Sequence, residues 1–443
     1  MSHLRTYQTY NVDRQVPDSA GTATAFLTGV KGNYETIGVN AHVKSQDTNC
    51  NLVKDSSVPS ILKWAVDGGR HAGVVTTARI THATPAASYA HVAFRDWEND
   101  ALLPKEMDAA CKDIARQLIE DDPGRHLRVI LGGGRKHFLP TSFVDPASNQ
   151  NGARNDENLI EKWLSMRKAA GLQSHQYKWI NSTKGLYEVG SKYLDRIEYL
   201  FGLFNYSHMT FEEERDRSPD GEPSLADMTS TAIKILSKNE KGFILLVEGA
   251  RIDHAHHQNL AGMALRETVS MDEAVEAASK IVNMDETLII VTADHAHTLS
   301  INGYPTRGQN ILGLSENDTS GMGFETLMYG NGPGHAEPRQ TAADTTKLRH
   351  AHHSAVHLSQ SHHGGEDVAA YSDGPFAHLF QGLVDQTFIA HVISFASCTG
   401  NYNTSSHCGE RTTSAATRTP SLLSLLLIPF FHTLCTYGQQ IQH

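Results

Sequence analysis

The stretch KGFILLVEGARIDHAHH, residues 241–257, decides the architecture of this chain. FILLV is apolar at successive positions, so it reads as a strand buried on both faces, near 243–248. Glu248 follows it directly. Asp253 and His257 come next at i, i+4, which puts both on one side of a helical turn. That pair supplies two ligands for a zinc-like ion, with Glu248 close by for a harder cation. His254 and His256 are spare in this reading, exposed or hydrogen-bonded behind the ligands.

The same order, strand then polar cluster, recurs along the chain. HAGVVTTARITHATP predicts a strand near 72–77, LRVILGGGRKHF near 127–131, ETLIIVTADHAH near 286–293 and FETLMYGNGPG near 324–329. Helical patterns lie between, at 59–67, 105–119, 224–237 and 261–281. This alternation is that of an α/β fold with a largely parallel sheet, in which ligands sit beyond the carboxyl ends of the strands. Residues 145–220 read as surface elaboration. Residues 303–360 are rich in Gly and His and read as a small insertion. Within it HAHHSAVH, 350–357, has a metal-binding composition but is read as an exposed loop.

The 443 residues, 39% hydrophobic and 20% charged, fit a globular protein with one large or two ordinary domains. A net charge of −11 argues against a nucleic-acid binder. The 26 His beside 49 Asp and Glu invite a metal reading. Five widely spaced Cys form no CxxC pair, and sequons stand at Asn181, Asn205, Asn317 and Asn403, which together suggest a secretory setting. MSHLRTYQTYNVDRQ has no apolar core of a signal peptide. At the other end SLLSLLLIPFFHTLCTY, 421–437, follows a small and polar stretch without a basic flank. It reads as the removable tail of a glycosylphosphatidylinositol (GPI) signal.

QVPDSAGTATAFLTGVKGN, 15–33, poses a second question. Asp18 or Ser19 caps a helix of small residues and Gly29 stops it. Alternatively Ser19 is a nucleophile, facing an anion from the helix N-terminus. Asp294 and His295, after LIIVTA, could aim at one ion, with His297 behind them. In SHHGGEDVAAY either His362 or His363 could be a ligand. His82 and Thr84 follow the second strand, where a hydroxyl beside a carboxylate suits Mg²⁺. Arg95 could clamp a phosphate. Together these clusters suggest two metals at an in-line phosphoryl displacement, with a phosphoseryl intermediate on Ser19.

VPDSAGTATA, THATP, CKDIA, GGGRK, KGFILLVEGARIDHAHH, VTADHAH, YGNGPG and HGGEDVA, in this order from about residue 9 to 400, resemble the animal GPI-anchored alkaline phosphatases. The resemblance implies hydrolysis of phosphate monoesters at the cell surface by a homodimer. It implies Ser19 as nucleophile, Arg95 on phosphate, and Asp253, His257 and His363 on a first zinc. Asp294 and His295 would hold a second zinc, and Thr84 and Glu248 a magnesium, with His82 beside it. It further implies disulfides Cys50–Cys111 and Cys398–Cys408, with Cys435 in the tail. The implied layout is a catalytic core over 1–302, a crown-like subdomain over 303–360, a return to the core over 361–408 and the anchor signal over 409–443.

Three departures from the family pattern stand out. The family's early strand with a metal-binding Asp has no counterpart ahead of Ser19, as in an N-terminally truncated member, so the second zinc and the magnesium are each expected to lack one ligand and the sheet to be one strand short. Asn205 replaces an acid of the family's calcium site, although Glu222 remains. Gln360 replaces a Glu near the site mouth. Two other readings are an inactive anchored paralogue and a related phosphodiesterase or sulfatase. Ser19 argues against the latter pair, which usually use Thr or a modified Cys.

Overall fold

The computed structural model describes residues 3–107, 111–339, 344–409 and 424–429. Ten strands form one sheet. From edge to edge they are Gly382–Asp385, His3–Gln8, Val368–Asp373, Thr287–Thr292, Ser424–Pro429, Phe243–Glu248, His71–Arg79, Val129–Gly133, Tyr199–Leu203 and Tyr177–Ile180. Val368–Asp373 runs against its neighbours; the other pairings are parallel.

Alternation along the central strands builds two hydrophobic layers. Ile244, Leu246, Leu288 and Ile290 pack in one layer with Phe26, Leu27, Ile61 and Ile393. Leu245, Val247, Ile289 and Val291 pack in the other with Leu225, Met228, Met271 and Ala274. Helices Ser19–Thr28, Ile61–Asp67 and Phe388–Ser397 thus cover one face, and Leu225–Leu236 and Ala261–Ile281 the other. Each fully buried Phe or Leu contributes roughly 1.5–3 kcal/mol. This confirms the α/β class and explains the unbroken apolar runs, since both faces of the sheet are covered.

The Ser19–Thr28 helix is buried at every residue. Its small residues allow close packing, and Gly21 touches the Asn11 side chain so closely that a Cβ would stand 2.5 Å from it. Asp18 is the N-cap, accepting from the amides of Ala20 and Gly21 at 3.2 Å each. Gly29 ends the helix at φ 77°, a left-handed conformation suited to glycine. Of the two cap candidates, the structure therefore selects Asp18.

Several sequence expectations are corrected. The predicted strand 324–329 is split into Gly323–Glu325 and Leu327–Gly332, and neither part joins the central sheet. Leu327–Gly332 pairs instead with Leu299–Ile301 and Ser354–His357 in a small sheet of the insertion. The helix expected over 105–119 begins at Ile114, where Asp113 caps it by accepting from the Arg116 amide at 2.9 Å. The 145–220 region is more than elaboration, because it contributes two strands to the sheet and buries Trp163 and Phe201. Both expected disulfides, Cys50–Cys111 and Cys398–Cys408, are present.

The sheet is not short of a strand at its centre. Ser424–Pro429, from the apolar run read as a removable tail, pairs in parallel with both Phe243–Glu248 and Thr287–Thr292. Leu426 pairs with Leu245 on one side and Ile289 on the other. The remainder of the expected anchor signal, 410–423 and 430–443, lies outside the described residues. Among the described residues no helix is long and apolar enough to cross a membrane.

Leu426→Pro removes a ladder N–H in mid-sheet. It is expected to lower the thermal midpoint of the full chain by several degrees. An unchanged midpoint in a scanning calorimeter would exclude the segment from the folded protein.

Candidate active site

Parallel strands deliver their following residues to one edge of the sheet. Glu248 ends its strand, and Arg251–His257 forms a short helix immediately after it. Asp294 and His295 follow Thr287–Thr292, and the Ala83–Ala87 helix follows His71–Arg79. His363 returns from the insertion and pairs with His297 in a two-residue bridge. The Ser19–Thr28 helix begins among them.

Asp253, His257, His297 and His363 hold one donor atom each within 4.8 Å of the others. Asp253 accepts from His297 Nε2 at 2.6 Å. Its carboxylate also lies 3.3 Å from His257 Nε2 and 3.5 Å from His363 Nε2. His257 Nδ1 donates to the Ser361 carbonyl at 2.6 Å, and His363 Nδ1 to the Pro17 carbonyl at 2.8 Å. Each ring therefore turns Nε2 inward, and the two Nε2 atoms stand 3.2 Å apart. Two lone pairs at that distance need a proton or a cation between them. Burial opposes a positive charge on His257, but Asp253 outweighs it and holds the His257 pKa above its ordinary value. The same field favours a metal ion. Of the two alternatives in SHHGG, His363 is in the cluster; His362 is exposed.

Ser19 lies beside a second pair. Its hydroxyl is 2.9 Å from His295 Nε2, which is 3.2 Å from Asp294 Oδ2. His295 Nδ1 donates to the Ala296 carbonyl at 3.2 Å, which makes Nε2 the acceptor for the Ser19 hydroxyl. The His295 and His363 rings stack with centroids 3.6 Å apart, joining this corner to the first cluster. Burial and the nearby Asp253 charge push Asp294 up to about 6.

A third group forms around Glu248. Thr76 donates to its carboxylate at 2.5 Å and Thr84 is a second hydroxyl partner. Burial raises Glu248 to about 7 despite both hydroxyls, and Asp294 and Asp253 add to the rise. Three buried carboxylates in mutual repulsion, with imidazole nitrogens turned inward, form a donor set suited to divalent cations.

Arg95 sits deeper than a surface ion pair. Its Nη1 donates to Asp18 at 3.0 Å and its Nη2 lies 3.2 Å from His82 Nε2. Asp18 also accepts from Asn11 at 2.9 Å and from the Glu35 amide at 3.0 Å. One carboxylate thus caps the helix of Ser19 and positions the guanidinium. Asp18 takes the Ala20 and Gly21 amides, so these two donors at the helix end are already occupied.

His82 is partnered by residues that the sequence reading left aside. It groups with His254 and with His208, which comes from the supposed surface elaboration. His208 follows a loop with no periodic signal, so nothing in the sequence marks it. Thr76 is hidden inside an apolar strand. Glu222 accepts from Asn205 at 2.5 Å and from Thr210 at 2.8 and 2.9 Å. Gln360 is exposed.

A family model described as alkaline phosphatase matches residues 1–399. The chain belongs to the alkaline phosphatase family. It is 42% identical to the chicken (Gallus gallus) tissue-nonspecific alkaline phosphatase, over 95% of this chain and 81% of that one. The membrane-bound alkaline phosphatase of Bombyx mori is 44% identical, with 96% of this chain and 76% of that one covered. Among solved structures, the Thermus thermophilus alkaline phosphatase has the same fold, at TM-score 0.62 and 22% identity over 89% and 82% of the two chains. A histidine-to-glutamate variant from the Antarctic bacterium TAB5, whose structure has magnesium bound, gives 0.60 at 23%, over 90% and 89%. Membership in this family makes the chain a phosphomonoesterase.

Thr76→Val keeps the shape of the side chain and removes its hydroxyl from Glu248. Such partners of ligands typically tune affinity 10–100-fold. A loss of that size is expected when metal-stripped protein is titrated with Mg²⁺ and followed by turnover. Unchanged affinity would remove Thr76 from the site.

Proposed function

We propose that this alkaline phosphatase hydrolyses phosphate monoesters through a phosphoseryl intermediate on Ser19, at a site for two zinc ions and one magnesium ion. The observation that carries the reading is the Ser19 hydroxyl, 2.9 Å from His295 Nε2 and set beside the inward-facing nitrogens of His257 and His363. Asp253, His257 and His363 would hold one zinc, Asp294 and His295 the other, and Glu248 and Thr84 the magnesium. His297 orients Asp253, and His82 lies beside Arg95. When bound, these ions supply positive charge that lowers the pKa of the attacking hydroxyl and water and neutralises the leaving oxygen.

The chain's own groups do the rest. Arg95, pinned by Asp18, orients the phosphoryl oxygens by its guanidinium fork. Ser19 Oγ attacks phosphorus; the Ser–O–P bond forms as the ester P–O bond breaks, and the leaving alkoxide takes a proton. Water then attacks the phosphoserine, phosphate leaves, and Ser19 regains its proton. Deprotonated nucleophiles make the reaction fastest at alkaline pH.

Three further features are proposed on sequence grounds. The chain works as a homodimer whose 303–360 region forms part of the interface. It is glycosylated, with Asn317 and Asn403 the exposed sequons; Asn205 is held by Glu222. It is displayed on the cell surface by a GPI anchor replacing the apolar end. Anchoring would withdraw Ser424–Pro429 from the sheet, so strand and anchor signal exclude each other in one molecule. The mass of the mature protein decides: a glycolipid-bearing chain ending before residue 424 supports the anchor, and an intact C-terminus refutes it.

Ser19→Ala should lower kcat on an aryl phosphate at alkaline pH by at least 10³-fold with metal content unchanged. His257→Ala should instead lose one zinc per chain by elemental mass spectrometry. Normal turnover in Ser19→Ala would refute the nucleophile, and full zinc in His257→Ala would refute the ligand.

A further inference from the structure

The run HAHHSAVH does not form the uniformly exposed loop that its composition suggests. His352 is fully buried, and Glu325 is 6% exposed. The Glu325 carboxylate takes up three neighbours from this run. Oε1 is 2.8 Å from His350 Nε2, while Oε2 accepts the His353 amide at 2.9 Å and is 2.9 Å from His352 Nδ1. The His350 and His352 rings meet edge to face with centroids 4.8 Å apart. One donor atom from each of Glu325, His350 and His352 lies within 4.8 Å of the others.

His352 gives the decisive observation. Among the described residues neither of its ring nitrogens has a hydrogen-bond partner, although the Glu325 oxygen is near. The ring approaches the carboxylate without aligning to donate to it. A buried imidazole left in that state keeps the desolvation cost of its nitrogens without a bond to offset it. A cation shared with the carboxylate and with His350 satisfies the ring and balances the buried negative charge together.

We propose that Glu325, His350 and His352 form a structural site for a divalent transition ion of zinc type, separate from the catalytic cluster. Two imidazole nitrogens and one carboxylate oxygen are a borderline donor set that suits zinc over magnesium or calcium, with water completing the tetrahedron. The ion would fasten the end of Gly323–Glu325 to the segment that enters Ser354–His357. That strand pairs with Leu327–Gly332, and the chain then continues to His363. Tyr329, on the same small sheet, has its hydroxyl 2.8 Å from His256 Nδ1. The site therefore stiffens the root of the loop that brings His363 to the catalytic cluster.

Two measurements test this on the full chain. Elemental analysis of zinc-loaded protein should show His350→Gln one metal equivalent below wild type, with kcat/KM on an aryl phosphate within about threefold. An unchanged metal count overturns the site. Glu325→Gln, which keeps the shape of the carboxylate, should lose the same equivalent. In a His257→Ala background, which weakens one of the two proposed catalytic zinc positions, added Zn²⁺ should still raise the thermal midpoint, and His350→Gln should make that rise smaller. A zinc-dependent rise indifferent to His350→Gln, or no rise at all, overturns the proposal. Neither result bears on Ser19, so this site and the catalytic reading fail separately.

Discussion

Two imidazoles that face each other over one buried carboxylate organise this molecule. His257 and His363 spend their Nδ1 protons on the backbone carbonyls of Ser361 and Pro17, and this forces both Nε2 atoms inward, 3.2 Å apart. Asp253 lies against both. The bond to Pro17 matters beyond the ring it orients, because Pro17 is two residues ahead of Ser19. The group that turns one nitrogen toward the cluster also fixes the entry to the helix of Ser19. Asp18, between them, caps that helix and holds Arg95. The Asp253 cluster, the Ser19 hydroxyl and the Arg95 guanidinium are thus mechanically connected over a few bonds.

The fold supports this by topology. Parallel strands place the ends of Phe243–Glu248, Thr287–Thr292 and His71–Arg79 on one edge, so residues far apart in sequence converge. Apolar layers cover both faces of the sheet, so Glu248 and Asp294 are buried at this edge. That burial raises Glu248 to about 7 and Asp294 to about 6, and makes the carboxylates demand counter-charge. The site and the hydrophobic core are consequences of the same burial.

Much of this arrangement is legible in the sequence, for a specific reason. Glu248, Asp294 and His295 directly follow unbroken apolar runs, so the end of a strand and the start of chemistry share one local signal. The spacing of Asp253 and His257 is equally local. What escapes is non-local. Thr76 looks like an ordinary strand residue until the Phe243–Glu248 strand is placed beside it. His208 reaches His82 only because Tyr199–Leu203 joins the sheet, and that strand is too short and too polar at its flanks to announce itself. The insertion teaches the same lesson in reverse, since a His-rich composition suggests exposure and Glu325, supplied by another strand, draws His352 inside. Ser424–Pro429 is the extreme case: its apolar run fits a membrane signal and a central strand equally well, and only the folded sheet shows that it can pair as the strand.

In the proposed reaction Ser19 is the group that receives the phosphoryl moiety. The most direct measurement is mass-spectrometric mapping of protein quenched in acid during turnover of a phosphate monoester. A phosphoryl group on the peptide containing Ser19, absent without substrate and discharged on return to alkaline pH, is the predicted result. Continued turnover with that peptide unmodified, or with the phosphoryl group on another residue, would contradict it.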